Sequence, residues 1–170
     1  MFPLNCSYFI ASSIAIFGLL RKKSVRYRFI DHVVNFKPNE SFLGVKSVSF
    51  EEYDLKTPFG DSPKFPVILL VESLFQAAYW LEVLSSDFKS CAIADEFDSV
   101  TLFDSLRPGE KAFIEITILS RGKDHIIFQG SVKMENKKIA TISNVHASLF
   151  PLEDFDDSSD LRTLFGEIYE

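Results

Sequence analysis

Cysteine is scarce in this chain of 170 residues. There are two, Cys6 and Cys91, with no Cys-x-x-Cys or Cys/His spacing. That excludes a disulfide framework and gives no sign of a zinc site. Histidine is also short: His32, His125 and His146 are scattered and read as structural or surface groups. No metal and no cofactor is expected. Positive charge is outweighed, with a net charge of -6. A nucleic-acid backbone is therefore a poor partner, since phosphate binding needs a concentrated positive surface. The local basic cluster Arg21, Lys22, Lys23, Arg26 and Arg28 reads as a solvated face, with an acidic protein or anionic lipid as the alternative. The first twenty residues lack the positive n-region and small-residue cleavage pattern of a signal peptide. Residues Phe2 to Leu20 are uncharged and near the length of a membrane span, but Pro3, Asn5, Ser7, Ser12, Ser13 and Gly18 interrupt them. A helix over about 12–23, packed on the domain in a cytoplasmic protein, is the expectation; membrane contact is the lesser alternative. No internal repeat or low-complexity tract is evident.

What is present suits one compact domain: 46% hydrophobic residues, 25% charged, and 18 phenylalanines. So many rings call for a large core or a lined apolar cavity. Residues 1–25 read as the amino-terminal helix, 26–152 as the domain and 153–170 as an acidic tail. Within the domain, Arg26 to Phe36 and the alternating run Ser41 to Phe50 flank the turn Lys37-Pro38-Asn39-Glu40 and predict a hairpin. Glu51 to Pro66, with three prolines, predicts a loop. Pro66 suits the first position of a helix over about 67–85. Cys91 to Phe103 reads as extended with an irregular start. Lys111 to Ser120, His125 to Met134 and Ile139 to Phe150 then read as three strands on short turns, an antiparallel meander. In the tail, Ser159 is a candidate cap for a short helix through Tyr169, with Leu161, Leu164, Phe165 and Ile168 on one face.

The helix is apolar almost all round (VILLVESLFQAAYWLEVL), so it must be buried on most sides. One curved sheet wrapped around one helix is an economical way to do that. Glu72 sits in the middle of this run, where an ionised carboxylate must be paired, hydrogen-bonded or protonated. Gln76 lies four residues on and shares its face. A buried helix Glu with nothing around it is more often structural than catalytic.

The order of pieces resembles the hotdog-fold 3-hydroxyacyl-[acyl carrier protein] dehydratases. The resemblance runs from about Tyr27 to Glu82 and more loosely to Phe150. It rests on FIDHVV with Asp31, GVKSVSFEE, PFGDSPKFPV, the helix motif LLVESLFQAA, and the turn Arg107-Pro108-Gly109-Glu110. It implies an α+β hotdog fold, a curved antiparallel sheet wrapped around a long central helix, and a dimer with its sites at the interface. It also implies an acyl thioester of a carrier protein or coenzyme A as ligand. In that family the helix Glu works with a His from a Gly-His-Phe-Pro-Gly loop, and a backbone N–H at the helix start polarises the thioester carbonyl. Carried over, the catalytic residue is Glu72, and Phe59, Gly60, Pro66, Val67 and Gln76 are substrate-binding.

The departure from the family is at the base. Counting back from Glu72 without a gap, the His position is Pro58, which can neither take nor give a proton. No His lies between His32 and His125. The family's donor Gly is Val67, which keeps an N–H but crowds the approach. The sequence therefore supports a dehydratase-like protein impaired alone, with a His-bearing hotdog paralogue as a heterodimer partner or a second copy as a homodimer partner. The alternatives are a thioesterase using Glu72 with Gln76, a purely acyl-binding module, and a bland buried Glu72. Asp54 and Asp61 are loop carboxylates that read as turn residues.

Overall fold

A computed structural model describes residues 28–50 and 64–169. The expected amino-terminal helix, Cys6, most of the basic cluster and most of the proline-rich loop lie outside the described residues. The elements run β1 (His32–Lys37), β2 (Ser41–Ser47), α1 (Val67–Ser85), β3 (Ser90–Leu102), β4 (Lys111–Arg121), β5 (His125–Met134), β6 (Lys137–Pro151), a 3-10 turn (Leu152–Asp154) and α2 (Ser158–Ile168). The strands form one sheet in the order β1-β2-β4-β5-β6-β3, and every neighbouring pair is antiparallel. This is the hotdog architecture, with α1 as the central helix.

Several boundaries differ from the sequence reading. The first strand starts at His32: Asp31 still reaches β2, its N–H donating to Val45 O at 2.8 Å, but Phe29 turns to the central helix. The Phe29 N–H donates to Gln76 Oε1 at 3.1 Å, and the Asp31 carboxylate takes the Ser47 N–H at 2.7 Å and pairs with Lys46 at 3.4 Å. The second strand stops at Ser47 because Val48 turns to the Arg107–Glu110 turn: its N–H donates to Glu110 O and its carbonyl accepts from Gly109 N. β3 begins at Ser90 in register with Pro151, so its start is regular; its irregularity lies between Ala94 and Glu96. The central helix runs Val67–Ser85 as expected, with Pro66 as its cap residue. Asp157, not Ser159, caps α2, accepting from the Ser159 and Asp160 N–H groups at 2.8 and 3.2 Å. An ionised carboxylate at that position also favours the positive end of the helix.

The turn Arg107-Pro108-Gly109-Glu110 positions the start of α1. Gly109 takes φ +87, which a side chain would disfavour. Glu110 closes the turn by accepting the Arg107 N–H at 2.7 Å. The chain just before it then holds Phe65, whose N–H donates to Leu106 O at 2.7 Å and whose carbonyl accepts from Ser105 Oγ. Phe65 is fully buried and meets Phe29 edge-on.

Leu70, Leu74, Ala77 and Leu81, at helical spacing, are fully buried. Leu74 packs against β5 where that strand carries Gly130. A Cβ there would lie 2.6 Å from Ile116 Cδ1, 2.9 Å from Leu74 Cδ2 and 3.0 Å from the Glu115 carbonyl. The opposite end of α1 is covered by α2. Phe165 packs on Trp80, Phe88 and Phe36. Arg162 bonds the Asp87 carboxylate at 2.9 Å and lies 4.2 Å over the Phe88 ring. That contact holds the left-handed pair Asp87 and Phe88, which ends the helix.

Gly130→Ala is expected to lower unfolding stability by about 1–3 kcal/mol, since backbone and two packed side chains must give way. Urea unfolding checks this, and an unchanged midpoint contradicts the close approach.

Candidate functional site

The central helix is not buried evenly. Leu70, Val71, Ser73, Leu74, Ala77, Ala78 and Trp80 to Val83 are buried. Ile68, Leu69, Glu72, Phe75, Gln76 and Tyr79 are not fully covered, and Ile68 is 48% exposed. Their spacing of three and four residues places them on one stripe, facing away from the sheet. The stripe runs from the helix start to Tyr79, where α2's approach begins with the bond from the Tyr79 hydroxyl to Asp156.

Glu72 lies at the centre of that stripe. Burial pushes its carboxyl up from the ordinary 4.5 to about 7, and a hydrogen bond from the Gln76 side chain opposes the rise. The Phe29 N–H occupies Gln76 Oε1, so the amide NH2 is the end that faces Glu72. Gln76 therefore both orients the carboxyl and ties it to the chain entering β1. A group near 7 is populated in both protonation states at neutral pH, as proton transfer requires.

Glu82, ten residues further on, resolves the same cost differently. It is 0% exposed, and Arg121 grips it through both guanidinium nitrogens at 2.7 and 3.0 Å. Ser90 Oγ donates to it as well. This carboxylate is fully paired, and it is a structural group. Nothing in the sequence marked it, because its partner sits 39 residues away and only the β4 register brings the two together. The thiol of Cys91 is pushed up to about 12, first by burial and then by the Glu82 and Asp154 carboxylates. It is inert as a nucleophile. Among the described residues, no group of three or more His, Cys, Asp or Glu is arranged to hold a metal.

Of the residues singled out in the sequence, the structure brings Glu72 and Gln76 together. It places Pro66 and Val67 at the start of the same helix, with no side chain capping it. Phe59, Gly60, Pro58, Asp54 and Asp61 lie outside the described residues. His125 and His146 are exposed, and His125 faces Asp124 at 3.0 Å. Sequence reasoning missed Phe29 and Phe97. Phe29 had no marker beyond its place before a strand. Phe97 packs its ring 6.3 Å from Phe75, bringing the middle of β3 beside the stripe.

No family model matches the chain. The 3-hydroxyacyl-[acyl-carrier-protein] dehydratase FabZ of Buchnera aphidicola subsp. Acyrthosiphon pisum (strain Tuc7) is 32% identical over 130 residues, covering 74% of this chain and 86% of that one. Among solved structures, a thioesterase from Haemophilus influenzae superposes with a TM-score of 0.55 at 15% identity, over 71% of this chain and 78% of that one. A Streptococcus mutans protein bound to acetyl CoA superposes with a TM-score of 0.56 at 14% identity, over 77% and 95% of the two chains. The structural likeness defines the class: a hotdog-fold protein. The sequence likeness is narrower, and the chain belongs to the FabZ family of 3-hydroxyacyl-[acyl-carrier-protein] dehydratases.

Two outcomes are expected from the contrast between the carboxylates. The folded state holds the Glu72 proton to about pH 7, while the unfolded chain releases it near 4.5. Stability therefore falls as pH rises through that window. Glu72→Gln is expected to match the wild type near pH 4 and to be more stable by about 1–3 kcal/mol above pH 7, measured by chemical unfolding at both ends. Arg121→Met leaves Glu82 buried and unpaired and is expected to cost about 3 kcal/mol. The double variant Glu82→Met/Arg121→Met recovers most of that loss if the pair is structural.

Proposed function

We propose that this chain binds acyl thioesters in fatty acid or related acyl-chain biosynthesis, in the cytoplasm, and supplies the carboxyl half of a dehydratase site. The carrier is an acyl carrier protein or coenzyme A. The observation that carries this reading is Glu72: a carboxyl held near 7, oriented by Gln76, on a half-buried stripe of the central helix. Membership of the FabZ family gives that position a chemistry.

In dehydration a base removes the proton from the carbon next to the thioester carbonyl. The bond from the third carbon to its hydroxyl then breaks, a carbon–carbon double bond forms, and water leaves. Protonated Glu72 can deliver the proton that the departing hydroxyl needs. The Val67 N–H at the helix start would polarise the thioester carbonyl, with Phe59, Gly60 and Pro66 shaping the approach. The base is what this chain does not offer, since Pro58 stands where the family has His. A His-bearing hotdog partner chain would supply it across the interface. Alone, the chain binds the thioester and turns it over poorly.

A second reading follows from the same carboxyl. With no imidazole nearby in sequence, Glu72 could activate water and release a free thiol as a thioesterase does.

The test is an assay of the purified chain with a 3-hydroxyacyl carrier-protein thioester. Binding is expected, with turnover about 10²–10⁴ below that of a His-bearing family member, because one proton-transfer group is missing. Efficient dehydration by this chain alone, abolished by Glu72→Ala, would sink the impaired reading. Thiol release dependent on Glu72 would favour the thioesterase.

A further inference from the structure

The half-buried stripe on α1 has a direction. With Val67 and Glu72 in the roles proposed for them, the Val67 N–H meets the thioester carbonyl, the first carbon of the acyl group. Glu72 meets the hydroxyl on the third. Val67 opens the helix and Glu72 lies further along it. The remaining carbons then run from Glu72 toward the carboxyl end of α1. Phe75 is the next large side chain on that face, flanked by the Phe97 ring at 6.3 Å. Gln76 lies beside it, with its amide committed to Glu72 and to the Phe29 N–H. An alkyl chain on this path is offered apolar ring surface, where burying methylenes is favourable.

Tyr79 ends that path. Its hydroxyl donates to the Asp156 carboxylate, and its ring stands edge-on to Trp80 at 6.4 Å. Asp156 is itself held in place. Its N–H donates to Leu152 O at 2.8 Å, and the buried Leu152 ties back through its own N–H to Lys89 O at 2.9 Å. The next residue, Asp157, caps α2. Moving the Tyr79 ring aside would break a hydrogen bond to an ionised acceptor, which is stronger than a neutral one. An alkyl terminus pushed past the ring would meet the carboxylate and strip water from it. Both effects oppose a longer chain.

The helix rise sets the length of the path. The seven residues from Glu72 to Tyr79 span about 10 Å. A zigzag alkyl chain advances a little less than one C–C bond length per carbon, so that is the reach of roughly eight carbons past the third.

We infer that Tyr79, pinned by Asp156, is the stop that limits the acyl group to a medium length, roughly ten to twelve carbons. This deepens the acyl-thioester reading of Glu72 and rests on it.

In the test, the full chain is titrated calorimetrically with 3-hydroxyacyl thioesters of coenzyme A of about four, ten and sixteen carbons, which bracket the span of the stripe. Affinity is expected to rise about three- to fourfold per added methylene up to the medium chain, the gain for burying a CH2 group, and to level off or fall for the long one. Tyr79→Ala is expected to raise the ratio of long- to medium-chain affinity at least about tenfold. Asp156→Ala, which removes the hydroxyl's carboxylate partner, is expected to move the ratio the same way by less, and it decides the matter if Tyr79→Ala does not fold. Wild-type affinity still climbing at the long chain overturns the inference, as does an unchanged ratio in the folded variants. Either result leaves the Glu72 reading intact. Absence of binding at every length removes the Glu72 reading and this inference with it.

Discussion

A nineteen-residue helix with apolar side chains on every face has to be covered from more than one direction. One sheet face reaches about half of it. Here β2, β4, β5, β6 and β3 curve round that half, and a glycine on β5 lets Leu74 approach the backbone. The second cover is α2, which closes the carboxyl end through Phe165 and Arg162. Among the described residues the stripe from Ile68 to Tyr79 is only partly covered, by Phe97 of β3 at Phe75 and by Asp156 at Tyr79. The site candidate is this half-buried face of an apolar helix.

The same helix carries two carboxylates, and their surroundings drive them apart. Glu82 faces the sheet and is held there by Arg121 and Ser90. Glu72 faces away from the sheet with an amide as its hydrogen-bonding neighbour. An amide orients a carboxyl but supplies no countercharge, so desolvation wins and the proton is held to about neutral pH. Pairing locks a charge in place. Partial burial without a countercharge keeps a proton exchangeable, and that separates a structural acid from a usable one.

Much of this was legible in the residues. The all-round apolar helix, the turns between β4, β5 and β6, and the Glu72/Gln76 spacing carry their own physical signals. So did the Arg-Pro-Gly-Glu turn, although its purpose was not readable: it fixes Leu106 against Phe65 and so aims the start of α1. Three features needed tertiary contacts. Phe29 reaching Gln76, Arg121 reaching Glu82 and Asp31 reaching Lys46 each join residues whose neighbours in sequence show nothing unusual. The strand ends that shifted, at Phe29 before β1 and at Val48 after β2, did so because docking contacts outcompeted strand propensity.

The sequence places the chain in the FabZ family, and solved structures at 14–15% identity share its fold. The scaffold provides a helix start, an apolar approach and one carboxyl of adjustable acidity. Those parts serve any reaction at an acyl thioester. What separates the reactions is the second proton-transfer group and where it stands. In this chain the Glu72 carboxyl stands beside its orienting amide, Gln76. An acid with no base next to it has little value for elimination within one chain. On the proposed reading it regains that value where a neighbouring chain brings the base.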